Sequence, residues 1–365
     1  QNMLSVSGEA CSSEAVGQLS GIAGLLFSAA RQQSPPLSPP LSPAEAMQLL
    51  ITTADDIDIP ASREPLQDTY HWSQAGFDQR FGYGRVNASS MVEALRAGRI
   101  PPAIDVTSPT WFQVLYPQRR QGPVEILGRI ETRAPSYDYV VEWAPGVQPR
   151  SEAFTEIVRE ENLPNDQVAG AEGPLALLDV RTIDPTHEWD VDSPLGENQY
   201  TITVRVRAIA HYGGETGDVL GELRRTYYVH EDPDLKKGFP IQTGASGEGS
   251  PKMADINGDG VLDLVVPSSD GRIHVYDLSG DEPRPVEGFP FVGARVDGLA
   301  SPPVGGKPSY LEAPGYAAET PAAPGASVDP RRAGSAFINA PAIADLDGDG
   351  LPEIVATSWN GFIHV

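Results

Sequence analysis

The sequence predicts a multidomain protein in three consecutive parts: a helical region over residues 1–98, an all-β sandwich over 99–235, and a set of short-stranded repeats over 236–365. Three observations lead there. Apolar residues keep a helical spacing only near the N-terminus and alternate along β-branched runs after position 100. Glycine (37) and proline (35) make up about a fifth of the 365 residues, which favours turns and short strands over long helices. A stretch of 11 residues recurs in similar form 90 positions on, with 6 of the 11 identical.

Between Ser13 and about Arg31 the apolar positions Ala15, Val16, Leu19, Ile22, Ala23, Leu25 and Leu26 fall on a helical period. Small residues crowd the same stretch, so the expected helix is packed tightly on several sides. Pro35-Pro36 and Pro39-Pro40 predict a stiff extended loop. Ser42-Pro43-Ala44-Glu45 has the form of a capping box with proline at the first helical position, ahead of apolar Met47, Leu49 and Leu50. Gly76 to Gly84 is rich in turns and aromatics, and a last short helix is expected over about Ala88–Ala97, ending at Gly98.

Pro101-Pro102 marks the next boundary. Strands are predicted at Val124–Ile130, Tyr137–Trp143, Tyr200–Ile209 and Leu223–Val229. In Thr201–Arg207, Ile202, Val204 and Val206 face one way and Thr203, Arg205 and Arg207 the other. Some seven strands at such intervals suggest an immunoglobulin-like or fibronectin-like sandwich.

From residue 236 the chain repeats itself. Gly238-Phe239-Pro240 returns as Gly288-Phe289-Pro290, and residues 250–260 return as 340–350. Ser301–Ala336, rich in Pro, Ala and Gly, reads as a flexible insertion between the copies. Each copy carries an acidic loop: Asp255-x-Asn257-x-Asp259-Gly260-x-x-Asp263 and Asp345-x-Asp347-x-Asp349-Gly350-x-x-Glu353. Carboxylate and amide oxygens at alternate positions of a tight loop converge on one point, and hard oxygens in that number suit Ca²⁺. Without a cation, carboxylates so close repel one another. An EF-hand would need Glu at the twelfth loop position, where Val266 and Ala356 stand, and the flanks are β-type. The plainer alternative is an Asx/Gly hairpin with solvated acids. These copies resemble FG-GAP repeats of the integrin α-like or VCBS type, in which such loops join strands of a β-propeller blade and hold structural Ca²⁺. The resemblance implies one site from Asp255, Asn257, Asp259, Asp263 and the Val261 carbonyl, and another from Asp345, Asp347, Asp349, Glu353 and the Leu351 carbonyl. It also implies an incomplete all-β propeller with a protein or carbohydrate ligand. The closing Gly361-Phe362-Ile363-His364-Val365 repeats Gly271-Arg272-Ile273-His274-Val275, and the chain is expected to be a fragment of a longer protein.

The segment Cys11-Ser12-Ser13-Glu14-Ala15 opens the first helix. A serine at a helix start sits beside free N–H groups that favour developing negative charge, although most such serines are only caps. The segment resembles the serine region of subtilases, Gly-Thr-Ser-x-Ala-x-Pro-x-Val-Ala-Gly, with Ser13 on the nucleophile, Ala15 on the Ala, Leu19 on the Val, and Ser20-Gly21 on the closing Ala-Gly. Leu49-Leu50-Ile51-Thr52-Thr53-Ala54 is similar to that family's "LL..TA", and Gly82-Tyr83-Gly84-Arg85-Val86-Asn87-Ala88 to its closing "G.G.VNA". The resemblance implies that residues 1–98 are the C-terminal part of an α/β subtilisin-like domain of a serine endopeptidase acting on polypeptides, with Ser13 as nucleophile. Readings of Ser13 as a relic in an inactive homologue or as a simple cap stay open, and Ser12 is the neighbour if the alignment slips. Cys11 and Gly17 replace the family's Gly and Pro. Cys11 reads as a buried thiol or a bridge to a cysteine elsewhere. Family order is Asp, His, Ser. All six histidines (71, 187, 211, 230, 274 and 364) follow Ser13, so the base, its orienting Asp and the oxyanion Asn are expected upstream and the fragment inactive alone.

Charge limits the partners. Fifty acidic against 26 basic residues give a net charge of −24, which opposes binding to a phosphate backbone. No run of 18 apolar residues exists to span a membrane. Acidity and calcium loops together point to an extracellular or cell-surface location.

Overall fold

The computed structural model describes residues 12–58, 73–110, 113–119, 122–183, 200–241, 243, 245, 247–293 and 335–365. Cys11, His71, His187 and nearly all of the expected insertion at 301–336 lie outside them. The chain is mostly β, with three helices among the described residues, and divides into two compact units at Asp232/Pro233.

In the first unit, α1 (Ser12–Arg31), α2 (Pro43–Thr52) and α3 (Ala88–Arg96) share a core of Leu26, Leu41, Ala46, Leu49, Met91, Leu95 and Ile100. The capping box forms: Glu45 N–H donates to Ser42 Oγ at 3.2 Å, and Ser42 N–H to Glu45 Oε2 at 2.8 Å. Asn87 caps α3 by accepting from Ser90 N–H at 3.0 Å. Gly98, at φ +70°, ends it. The packing of α1 departs from expectation. Only Leu26 and Ala30 are buried, while Val16 and Leu25 are 61% and 52% exposed and Cβ atoms on Gly17, Gly21 or Gly24 would touch nothing. Its small residues leave an open face because no described residue covers it.

Eight strands follow: β1 (Ala103–Ser108), β2 (Val114–Leu115), β3 (Val124–Glu131), β4 (Ser136–Pro145), β5 (Thr155–Pro164), β6 (Ala176–Leu178), β7 (Thr201–His211) and β8 (Asp218–Val229). They form two sheets, ordered β1-β3-β6 and β2-β8-β7-β4-β5. Both contribute to one core, which includes Ile104, Ile126, Ile130, Tyr137, Val141, Val204, Val206 and Tyr227. Strand β3 alternates buried and exposed residues without a break, the period that one wet face imposes.

The polar face of β7 is covered rather than wet. Arg205 and Thr203 are almost fully buried, and Arg205 pairs across the sheet with Glu142 of β4. The helical cluster is tied to the sheets. Buried Gln48 of α2 donates to the Glu222 carbonyl at 3.1 Å and accepts its N–H at 3.0 Å, so an amide side chain takes the place of a neighbouring strand on β8. Arg133 clasps Glu45 at 2.8 Å and the Pro40 carbonyl at 3.0 Å.

The second unit holds β9 (Lys252–Ala254), β10 (Asp263–Pro267), β11 (Arg272–Asp277), β12 (Arg284–Pro285), β13 (Phe291–Val292), β14 (Ala342–Ala344), β15 (Glu353–Thr357) and β16 (Ile363–His364). Strands order as β12-β11-β10-β9, with β13 also on β11, and as β14-β15-β16. The two copies share one core: Val265, Ile273 and Val275 from the first pack with Phe337 and Ala356 near and in the second.

Candidate functional site

Each acidic loop connects two antiparallel strands, β9 to β10 and β14 to β15. Within the first, Asp255 Oδ1 accepts from Gly258 N–H (2.8 Å) and Asp259 N–H (3.1 Å), and its Oδ2 from Gly260 N–H (2.9 Å). Asn257 Oδ1 accepts from Asp259 N–H at 2.9 Å, and Asp259 Oδ1 from Val261 N–H at 2.8 Å. The second loop repeats this. Asp345 accepts from Gly348 (2.7 Å) and Gly350 (3.1 Å), Asp347 from Asp349 (3.1 Å), and Asp349 from Leu351 (2.8 Å). Such short side-chain-to-backbone bonds need the reversals at Gly258, Gly260, Gly348 and Gly350, all at φ between +77° and +92°.

The closing acids differ. Asp263 is completely buried; its Oδ2 accepts from Ile256 N–H (2.8 Å) and Asn257 N–H (3.2 Å), and its Oδ1 has no partner. Burial pushes its carboxyl above the ordinary value, and nearby Asp277 and Asp259 add to this against the two N–H bonds. A buried carboxylate oxygen with nothing to accept is costly unless something positive meets it. The longer Glu353 accepts from Leu346 N–H at 2.7 Å. Asp345, Asp347 and Glu353 each offer an oxygen within 4.8 Å of the others, a group that could hold a metal ion. Asp349 lies outside this group, and among the described residues the first loop makes no such cluster. It has the amide of Asn257 where the second loop has Asp347. The Val261 and Leu351 carbonyls lie in the two loops, and no side chain marks them as ligands.

Ser13 stands in the first turn of α1 and is exposed, as is Ser12. No described histidine is bonded to either. His211 is held by Asp218 and Asp138, His230 meets Tyr200 edge-on and Tyr228 at a tilt, His274 lies parallel to Tyr276, and His364 meets Ser358 Oγ at 3.0 Å. A cleft does open elsewhere in the first unit, between α2, α3 and β8, with Tyr83, Glu93, Glu222 and Arg224 on its walls; Ser13 is not among its lining residues. Burial, then the charge of Glu222, raises the Tyr83 hydroxyl well above its ordinary value.

The sequence reading missed one polar assembly. Glu142 binds Arg205 (3.0 Å) and Arg207 (2.9 Å to each oxygen), and Arg205 and Arg224 lie over the Phe154 ring. Burial raises the Glu142 carboxyl, but Arg207 and Arg205 outweigh it and hold it below its usual value. The signal in the sequence was the alternation of Arg205 and Arg207 with Val204 and Val206, and nothing in it named Glu142 as partner. No protein-family model and no curated protein matches the chain.

Proposed function

We propose that this chain is part of a secreted subtilisin-like serine endopeptidase whose C-terminal unit is a calcium-binding repeat module of the propeller type. The observation that carries the calcium half is the duplicated loop: one copy brings Asp345, Asp347 and Glu353 together, and the other buries Asp263 with one oxygen unpartnered. Seven acidic ligands and one amide in two loops suit a hard divalent cation held for structure. On this reading β1–β8 form the immunoglobulin-like spacer. Calcium should raise the melting temperature of the second unit. Equal melting curves with calcium and with chelator would count against the module.

The peptidase half rests on three landmarks that meet in one cluster. The helix led by Ser13, the "LL..TA" helix α2 and the helix α3 that follows "VNA" share a core. Gly84, at φ +111°, lies so close to the Asp55 carbonyl that no Cβ fits, and Asn87 bonds Asp55 at 3.0 Å, which ties the end of α2 to the third landmark. In the proposed reaction Ser13 Oγ attacks the peptide carbonyl, its proton passes to a histidine and then to the leaving amine, and water releases the acyl group. No histidine precedes position 71, and on this reading these residues supply the nucleophile and a helix N-terminus. Fluorophosphonate labelling of the full-length gene product should map to Ser13 and disappear in Ser13→Ala. Label that survives that change would defeat the assignment. The exposure of Ser13 and of most of α1 favours a second reading, in which a degenerate peptidase fold serves as scaffold for an extracellular binding protein; unlabelled full-length protein would select it.

A further inference from the structure

Resting on the calcium reading, we infer that the two loops bind their ions cooperatively, through the contact between Gly258 of the first loop and Leu351 of the second. A Cβ built on Gly258 would lie 2.8 Å from Leu351 Cδ2, so the leucine side chain leans on the bare backbone of the first loop. Both residues belong to the ligand networks. Gly258 N–H is held by Asp255 Oδ1, and Leu351 N–H by Asp349 Oδ1. Behind them Ile256 of the first loop packs on the same core as Ile343 and Ile354, which lie on the two strands the second loop joins.

The first loop's own closing acid, Asp263, is completely buried with Oδ1 unpartnered, an arrangement that a cation beside it would relieve. An ion there fixes Asp255, and with it Gly258 and the wall against which Leu351 rests. The second loop then binds its own ion against a wall already held in place, which is positive coupling without a large movement. Electrostatics act in the other direction, because a filled loop attracts the next cation less. The first loop keeps three carboxylates against a double positive charge, and at about 0.15 M salt the screening length of about 8 Å weakens what repulsion remains. The packing contribution does not depend on salt, so the positive coupling we infer should persist when salt is raised.

Calorimetric titration of the whole chain with calcium chloride tests this. The wild type should take up two ions with a Hill coefficient above one. Asp255→Ala should weaken binding at the second loop, and Asp345→Ala binding at the first, each at least about 5-fold relative to the same loop when its neighbour is filled, and by the same factor because coupling is reciprocal. Adding Leu351→Ala, which removes the contact and keeps the carbonyl, should bring the factor between the loops towards one. Asp255→Asn replaces Asp255→Ala if circular dichroism shows a folding defect. Two ions bound independently, with each single-loop variant at wild-type affinity, would overturn the coupling and leave the calcium module standing. No binding by the wild type would overturn both.

Discussion

Replacing Arg205 by methionine tests whether the covered polar face of β7 holds the first unit together. The Arg205 side chain is 3% exposed. It donates to Glu142 Oε2 at 3.0 Å and to the Ser151 carbonyl at 3.3 Å, and its guanidinium lies 3.7 Å from the centre of the Phe154 ring. Removing one member of a buried ion pair costs about 3–5 kcal/mol, chiefly because the other charge is left behind. Glu142 keeps the two-pronged contact with Arg207, and methionine fills much of the volume, so the lower end, about 3 kcal/mol, applies. For a unit of this size each kcal/mol moves the midpoint by roughly 2–4 °C, so calorimetry of the full chain should show the transition of residues 1–232 fall by about 6–12 °C. Glu142→Gln combined with Arg205→Met should cost less than the two single changes added together, by about 1 kcal/mol or more. A single-variant loss below about 1 kcal/mol, or strict additivity, would refute the claim that the two charges depend on each other.

Other consequences follow from particular residues. Leu49→Ala empties the centre of the helical cluster and should cost about 2–5 kcal/mol by urea denaturation, with no effect on calcium uptake by the second unit. Gly84→Ala forces a Cβ against the Asp55 carbonyl at a positive φ, so its loss should exceed about 1 kcal/mol, and a neutral outcome would contradict the close approach. His211 is bonded at Nδ1 by Asp218 (2.9 Å) and at Nε2 by Asp138 (3.1 Å). The Asp218 bond first, then Asp138, raise its pKa, with burial opposing. A raised folded value means that the contribution is fully present below pH 6.5 and fades as pH climbs through the raised value. His211→Asn should therefore lose more stability near pH 6 than near pH 8.5; equal losses would rule out a charged His211 between its two acids.

Much of the local structure was legible before any coordinates. The capping box predicted where α2 starts, and it starts there because Ser42 and Glu45 satisfy N–H groups that no helix can satisfy internally. The alternation of Ile202, Val204 and Val206 located β7, and the duplicated acidic motif located both loops, since glycine and Asx residues fix a tight turn by purely local bonds. The crowding of small residues in α1 misled, because composition cannot say whether a second surface is there to meet it.

Sequence by itself thus located the three helices, four of the eight strands of the first unit and the two acidic loops, all of which follow from backbone periods and hydrogen bonds between residues a few positions apart. Only the tertiary structure decided that Gln48 lies on β8, that Glu142 binds Arg205, that Asp263 is sealed with one oxygen unpartnered, and that Gly258 meets Leu351. Those pairings join residues some 60 to 170 positions apart, except for Asp263, whose burial depends on the surrounding packing. Their energies come from desolvation and close contact, which depend on what surrounds a residue in space rather than on what adjoins it along the chain.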